Sequence, residues 1–232
     1  MLYRDCQRLV NQDRNVFAAC MVACGDADAM ITGVTRNSFD VLDEVTRVIE
    51  LQPGSPMFGL TILLSREHTV LLADTLVHVR PSAAQLADIA VAAAAKAREL
   101  GLEPRVALLS YSNFGNPAGG DGERVREAVA LLDAQHAGFE YDGEISADVA
   151  LDHRLMHQLY PFCRLSGPAN ILIMPDLHSA NISAKLLPHL GGGTAVGPLL
   201  IGLTCPVQIV NIGATVSDLV NLAALAAHDS IG

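Results

Sequence analysis

The sequence has 232 residues, of which 50% are hydrophobic and 17% are charged, and this balance is typical of a folded globular protein. Its formal net charge is -10 and its basic residues form no cluster, which excludes nucleic acid and anionic membranes as expected partners. The longest apolar stretch, residues 201–227, is interrupted by polar residues and is predicted to be a buried strand followed by a helix. Because the N-terminus also lacks a signal-peptide pattern, we expect a cytoplasmic protein. The five cysteines show no CxxC spacing and are predicted to be free thiols.

Apolar and helical segments alternate along the chain, and this alternation predicts an α/β fold around a mostly parallel sheet. An apolar segment at 16–23 opens the alternation, and a buried strand at 29–32 and a helix at 39–51 follow it. Strands at 58–64 and 70–73, joined by the polar sequence SREH, are predicted to form a hairpin. The clearest helix covers 83–100, between Pro81 and Gly101.

The second half of the chain continues the same pattern, with predicted strands at 106–110, 171–174, 198–203 and 207–210 and helices at 125–135, 184–190 and 217–227. A glycine-rich loop at 113–122 follows a strand. Ligands bind in open α/β sheets where strands end, so this loop is a functional candidate. The acidic sequence DGE at 142–144 could suggest a metal, but a turn leading to a helix N-terminus is the simpler interpretation, and no metal site is predicted.

Five phrases then occur in a recognisable order: GDADAMITG (25–33), RVALLSYSNFG (105–115), YDGEISADVAL (141–151), GPANILIMPDLHSANISAKLL (167–187) and VGPLLIGLTCPVQIV (196–210). With them the chain resembles the phosphate acetyl- and butyryltransferase family. Within that family, SNFG at 112–115 and the opening DCQRLVNQDRNVFAACMV resemble the phosphotransacetylase-like C-terminal domain of bacterial NADP-dependent malic enzymes of the hybrid type.

The resemblance implies an isocitrate/isopropylmalate dehydrogenase-like fold with two lobes of mostly parallel sheet flanked by helices. We expect residues 1–52 plus 206–232 to form the first lobe and 53–205 the second. Relative to the family the chain starts late, so the first lobe is expected to be incomplete and the chain N-terminally truncated.

The resemblance also locates the catalytic positions. Active members carry Ser-Arg-Gly near the C-terminus, followed shortly by Asp. Aligned through Gly213, this chain has Asn211 and Ile212 in place of the Ser and Arg, and Asp218 at the Asp. An aliphatic side chain can neither neutralise a phosphate nor donate a hydrogen bond to it, and the loss of one such donor typically costs ~10²- to 10³-fold in rate. Asp218 is therefore either a remnant of the catalytic base or a helix cap.

Polar residues near the predicted strand ends are candidates for ligand binding. Arg36 is proposed as an anion contact, with a solvated loop arginine as the alternative. The SNFG residues could instead form a polar turn, and Lys185 could be a surface lysine. The full set is Thr32, Arg36, Ser38, Ser110, Ser112, Asn113, Gly115, Asn170, Ser179, Asn181, Lys185 and Asp218.

The expected ligand is acetyl-CoA or CoA, and no NADP site is expected because no GxGxxG follows a strand. The resemblance implies a regulatory domain that binds an acyl-CoA, forms a homo-oligomer and acts on the catalytic half of a full-length malic enzyme. Two alternatives stay open at this point. The chain could be an active phosphate acetyltransferase that uses Asn211, Arg36 and Asp218, or a fragment without a function of its own.

Overall fold

The structure is a computed structural model that describes residues 2–66, 68–120 and 122–231. The chain divides into two compact units, one formed by residues up to Met57 together with those from Val196 onward, and the other by Phe58–Ala195. The lobe limits expected from the resemblance, 1–52 plus 206–232 and 53–205, stay a prediction beside these observed divisions.

The first unit contains a parallel pair of strands, β1 (Met30–Gly33) and β8 (Val207–Val210), with Met30 opposite Val207 and Gly33 opposite Val210. Helices pack against this pair and bury Val16, Val41 and Val45. The helices of this unit are α1 (Tyr3–Gln12), α2 (Arg14–Ala23), α3 (Ser38–Thr46) and α9 (Val216–Ile231). The apolar segment at 16–23 that opens the alternation is thus part of a helix, which Asp13 caps by accepting the amides of Asn15 and Val16.

The second unit is built on a mixed sheet with the strand order β5–β4–β6–β3–β2, and β7 follows as the edge strand. The boundary between the two units falls within β7. β2 and β3 are antiparallel, which confirms the predicted hairpin, whereas β3, β4, β5 and β6 run parallel. The strands are β2 (Phe58–Leu64), β3 (Thr69–Ala73), β4 (Arg105–Leu109), β5 (Glu140–Ile145), β6 (Ile171–Ile173) and β7 (Thr194–Ile201). Glu67, in the predicted SREH turn, lies outside the described residues.

Helices cover this sheet, namely α4 (Ala83–Glu99), α5 (Gly122–Ala134), α6 (Ala147–Leu151), α7 (His153–Leu159) and α8 (Leu177–Gly191). A capping box between Ser82 and Gln85 starts α4. The small residues of its AAAA run include the fully buried Ala93, so the helix axis can lie close to the strands. None of the helices in the described ranges combines the length and the apolar character needed to cross a bilayer.

Two predictions for the second unit were wrong. The DGE sequence is not a turn, because Asp142 and Glu144 lie within β5 and are buried. The helix predicted at 184–190 starts at Leu177, since Asp176 caps it by accepting the amide of Ser179. It ends as the sequence indicates, in the glycine run, where Gly192 adopts a left-handed conformation.

Gly33 fixes the end of β1 against β8. Its φ of +115° is a backbone conformation that L side chains rarely adopt, and a Cβ placed there would lie 2.1 Å from the carbonyl oxygen of Val210. A side chain at this position would therefore separate the two strands.

We expect Gly33→Ala to lower the free energy of unfolding by at least about 1–3 kcal/mol, as strained backbone positions typically do, with a further loss from the contact with Val210. Gly54→Ala is the matched control, because Gly54 has a φ of +77° but no atom within 4 Å of an added Cβ. Urea denaturation of the two variants measures the difference, and an equal loss in both would contradict the steric explanation.

Candidate functional site

The loops at the carboxyl edge of the second sheet bring several of the predicted ligand residues together. Strands β3, β4, β5 and β6 are parallel, so their carboxyl ends share one edge. Ser110 and Ser112 follow β4, and their hydroxyl oxygens lie 3.1 Å apart. The loop continues through Asn113 and Gly115 towards α5.

A buried carboxylate fixes the conformation of this loop. Glu144, in β5, is fully buried, and its Oε1 accepts hydrogen bonds from the hydroxyl of Ser112 and from the amide of Gly115 at 3.2 Å. Its Oε2 accepts one from Nη1 of Arg126 at 2.6 Å. The backbone carbonyl of Glu144 also accepts the amide of Phe114. The SNFG segment is therefore folded around one side chain, which gives the loop a defined conformation.

Asn113 links the same loop to the end of β5 through hydrogen bonds. Its Oδ1 accepts the amide of Ser146 at 2.8 Å and the hydroxyl of Ser146 at 3.1 Å. The ring of Phe114 packs against those of Tyr160 and Phe162, with centroids 5.1 and 4.9 Å away. The amide oxygen of Asn113 is thus used inside the protein. The hydroxyl of Ser110 donates to that of Ser112, whose own hydrogen goes to Glu144.

The loop after β3 is organised by Asp74, which the sequence analysis did not single out. Oδ1 accepts the amides of Gly59, Leu76 and Val77, and Oδ2 accepts the amide of His78 and lies 2.7 Å from its ring Nδ1. Burial alone would raise the pKa of Asp74, but these hydrogen bonds outweigh it, so the pKa lies below its ordinary value. His78 is thereby held at the same edge of the sheet as the serines of the β4 loop.

The helix that follows β6 carries three further predicted ligand residues. Ser179 is committed to the start of α8, because its amide donates to Oδ1 of Asp176 and its hydroxyl to the carbonyl of Asp176. Asn181 is half-buried in the second turn, and Lys185 is exposed one turn later. Lys185 is therefore accessible as a cation, but it lies away from the start of the helix.

Arg124 is a cation of this edge that the sequence analysis missed. Its Nη1 donates to the carbonyl of Pro81, whereas Nε and Nη2 are buried and have no hydrogen-bond partner within the described residues. Burial by itself raises the pKa of Asp176, but the hydrogen bonds of Ser179 and the charges of His178 and Arg124 lower it below its ordinary value. The position of Arg124, in the first turn after the glycine-rich loop, is the signal that could have drawn attention to it.

Asn170 lies elsewhere. It precedes β6, at the amino edge of the sheet, where its Oδ1 accepts the amide of Arg105 at 2.8 Å and its Nδ2 donates to the carbonyl of Glu103 at 2.8 Å. Both ends of the amide side chain are therefore used to join the starts of β4 and β6. The structure does not bring Asn170 together with the β4 loop.

In the first unit, Arg36 lies between two carboxylates. Its Nη1 is 2.8 Å from Oδ2 of Asp13 and 2.6 Å from Oε1 of Glu44. The other oxygen of Glu44 accepts Nδ2 of Asn15, whose Oδ1 accepts the hydroxyl of Thr32 at 2.5 Å. Thr32 and Arg36 thus belong to one internal network, and the charge of Arg36 is already balanced. Ser38, a further candidate, starts α3 directly after its N-cap, Asn37.

The residues that the sequence analysis aligned with catalytic positions follow β8. Asn211 and Ile212 are exposed, and the side chain of Ile212 is 68% accessible. Asp218 forms a capping box with Thr215 at the start of α9, with its Oδ2 accepting the Thr215 amide at 2.7 Å and the Thr215 hydroxyl at 2.8 Å. Since β1 and β8 are parallel, these residues and Arg36 follow strand ends at one edge of the pair.

Comparison with known proteins agrees with this arrangement. Residues 1–227 match the phosphate acetyl/butaryl transferase family. The chain belongs to this family. It is 58% identical over 229 residues to the NADP-dependent malic enzyme of Rhizobium meliloti (strain 1021), covering 99% of this chain but 30% of that protein. The chain therefore corresponds to a phosphotransacetylase-like domain and spans less than a third of that relative.

Transacetylases of the family are also similar over most of the chain. The phosphate acetyltransferase of Corynebacterium glutamicum is 34% identical over 229 residues, which cover 98% of this chain and 70% of that enzyme. The crystal structure of a phosphotransacetylase from Streptococcus pyogenes is 30% identical and superimposes with a TM-score of 0.87, covering 94% of this chain and 67% of that one. These likenesses confirm the α/β phosphotransacetylase fold expected from the sequence.

Replacement of Glu144 tests whether it organises the β4 loop. Glu144→Gln places an amide NH₂ against either Arg126 or the donors of Ser112 and Gly115, so at least one buried hydrogen bond is lost. We expect a loss of about 1–3 kcal/mol in urea denaturation and faster amide hydrogen exchange at Gly115. Glu127→Gln, the same change of charge at an exposed position of α5, serves as the control. Unchanged exchange at Gly115 would contradict this role.

Asp74 should make the stability of the chain depend on pH in acid. Its pKa is lower in the folded protein than in the unfolded chain, so the folded state binds fewer protons. Its contribution is therefore complete above the unfolded value of about 4 and is lost as the pH falls further. Asp74→Asn should lose about 1–3 kcal/mol at neutral pH and show a flatter acid decline. Denaturation series at several pH values, with exposed Asp88→Asn as the control, measure this. A parallel decline in Asp74→Asn and the parent protein would refute it.

Proposed function

We propose that the chain is a regulatory phosphotransacetylase-like domain of an NADP-dependent (oxaloacetate-decarboxylating) malic enzyme, which binds acetyl-CoA or a related acyl-CoA without transferring the acetyl group. One observation carries the proposal. At the end of β8, where the resemblance places the Ser-Arg of active members, this chain presents Asn211 and the exposed Ile212.

The chemistry explains why this substitution matters. Transfer of an acetyl group between CoA and phosphate needs a base for the thiol, a cation for the phosphate and a donor for the oxyanion. Ile212 supplies neither charge nor donor. Arg36 is the cation considered for this role in the first unit, but its charge is balanced by Asp13 and Glu44, which lie at 2.8 and 2.6 Å. Asp218 holds the start of α9, which supports its role as a helix cap.

The acyl-CoA ligand is assigned to the loops at the carboxyl edge of the second sheet. In the second unit, the hydroxyl oxygen of Ser110 offers an acceptor for a pantetheine amide, because the backbone amides of the ordered SNFG loop already donate within the protein. Lys185 adds an exposed positive charge on α8. Asn170 stays a predicted ligand residue, but it lies apart from these loops, because its amide joins β4 to β6. The chain itself is assigned no NADP.

The domain is also proposed to assemble with copies of itself in the cytoplasm. On α8, Ile182, Leu186 and Leu190 recur every four residues and are 60%, 51% and 78% exposed, so they form one apolar stripe. On α9, Val220 is 60% exposed. Burial of such surfaces between copies would make the domain a multimeric partner of the malate-oxidising half of the full-length enzyme. Acyl-CoA would then regulate the malate-oxidising half by favouring one of two arrangements of the domain.

A second function, phosphate acetyltransferase activity, is supported by one observation. The chain is 34% identical to the enzyme of Corynebacterium glutamicum and covers 70% of it. In this case Asn211 would replace the serine, Arg36 would contact the phosphate and Asp218 would act as the base.

Two measurements on the purified chain separate these functions. Calorimetric titration with acetyl-CoA is expected to show binding, and a coupled assay of acetyl phosphate with CoA is expected to show no turnover. Absence of acetyl-CoA binding would refute the regulatory proposal.

If turnover appears, Asp218→Ala and Thr215→Ala identify its origin. Both variants break the capping box and should cost about 0.5–2 kcal/mol of stability, but Asp218→Ala alone removes the carboxylate. Turnover abolished in Asp218→Ala and retained in Thr215→Ala would establish an active transacetylase and overturn the proposal.

A further inference from the structure

A cavity of about 490 Å³ lies in the second unit at the edge opposite the candidate loops. It is bounded by the starts of the parallel strands, with Thr69 in β3, Arg105 in β4 and Asn170 just before β6, and by the end of α8. The β4 loop begins at Ser110, at the other end of the same strand. The cavity is therefore distinct from the loops assigned to acyl-CoA, and its volume is that of a small-molecule site.

The cavity has mainly apolar walls. Leucine side chains from different elements surround it, and Leu172 and Ala169 at its base belong to the hydrophobic core. Leu151 and Leu187 are 42% and 48% exposed, so they are wall residues that solvent also reaches. An aliphatic chain entering here would cover leucine surface that now contacts water, and such burial is favourable.

Arg105 supplies a cation in the cavity wall. Its Nε donates to the carbonyl of Pro168 at 2.8 Å, and its backbone amide is held by Asn170. Within the described residues, its Nη1 and Nη2 atoms have no hydrogen bond or ion pair. A guanidinium that is fixed through Nε and has both terminal nitrogens available matches the two oxygens of a carboxylate.

We propose that this cavity binds an aliphatic carboxylate, with the carboxylate on Arg105 and the hydrocarbon chain against the leucines. The combination of charge and apolar wall selects this class of ligand. A neutral alkane derivative would leave the guanidinium without an anion, and a small polar anion would leave the leucines exposed.

Calorimetric titration of the intact chain with octanoate tests the proposal, with octanamide as the neutral probe. The expected result is that octanoate binds, that octanamide binds more weakly, and that Arg105→Gln raises the Kd of octanoate about 10- to 100-fold while leaving that of octanamide unchanged. No heat or chemical-shift change with octanoate at millimolar concentration would overturn the site.

A second pair of variants keeps the test decisive if Arg105→Gln fails to fold. Leu187→Asp places a negative charge in the wall and should abolish octanoate binding, whereas Leu159→Asp, on a similarly exposed residue of α7 outside the cavity, should leave it intact. Equal effects of the two variants would refute the assignment. Titration of Leu187→Asp with acetyl-CoA separates the two proposals, since that affinity should not change.

Discussion

The hydrogen-bonded carboxylate of Glu144 is the interaction on which the carboxyl edge of the second unit depends. A carboxylate removed from water is tolerated only when donors replace the water, and here Ser112, Gly115 and Arg126 do so. The same interaction requires Gly122 at the start of α5, because a Cβ there would lie 2.8 Å from Oε2 of Glu144. The β4 loop, β5 and the start of α5 therefore have to form together.

Carboxylates hold loops or helix starts in both units, but in the first unit they also hold the arginine that was considered for phosphate binding. In the second unit, Asp74 and Glu144 bind backbone amides and so shape loops whose outer groups stay available to a ligand. In the first unit, Asp13 and Glu44 bind the side chain of Arg36. Since Nη2 of Arg14 lies nearby on the hydroxyl of Thr35, two guanidiniums face two carboxylates, and the cluster has no excess positive charge with which to hold a phosphate. This contrast is the electrostatic reason to assign ligand binding to the second unit and to expect no phosphate chemistry in the first.

The sequence predicted those parts of the fold that depend on local pattern. The helix α4 and strand β8 follow from apolar spacing and from flanking Pro and Gly residues, and the family phrases gave the overall fold. What it missed depends on contacts between distant residues. Glu144 can occupy a strand because Ser112, 32 residues away, and Arg126, 18 away, supply its donors, and no spacing rule connects them. Asn170 precedes its strand, and only residues that follow a strand reach the carboxyl edge, so its role as a ligand residue stays a prediction apart from the β4 loop.

Strand polarity also explains why the two edges of the second sheet can hold different chemistry. β6 is short and fully buried and pairs with both β3 and β4, so the amino edge at Asn170 and the carboxyl edge at Asp176 are joined by a rigid element. A ligand at one edge affects the other only if it favours a different arrangement of the connecting strand. Because β6 is hydrogen-bonded on both sides, displacing it would break two ladders at once. A carboxylate bound at Arg105 is therefore expected to raise the stability of the unit by mass action without reshaping the β4 loop.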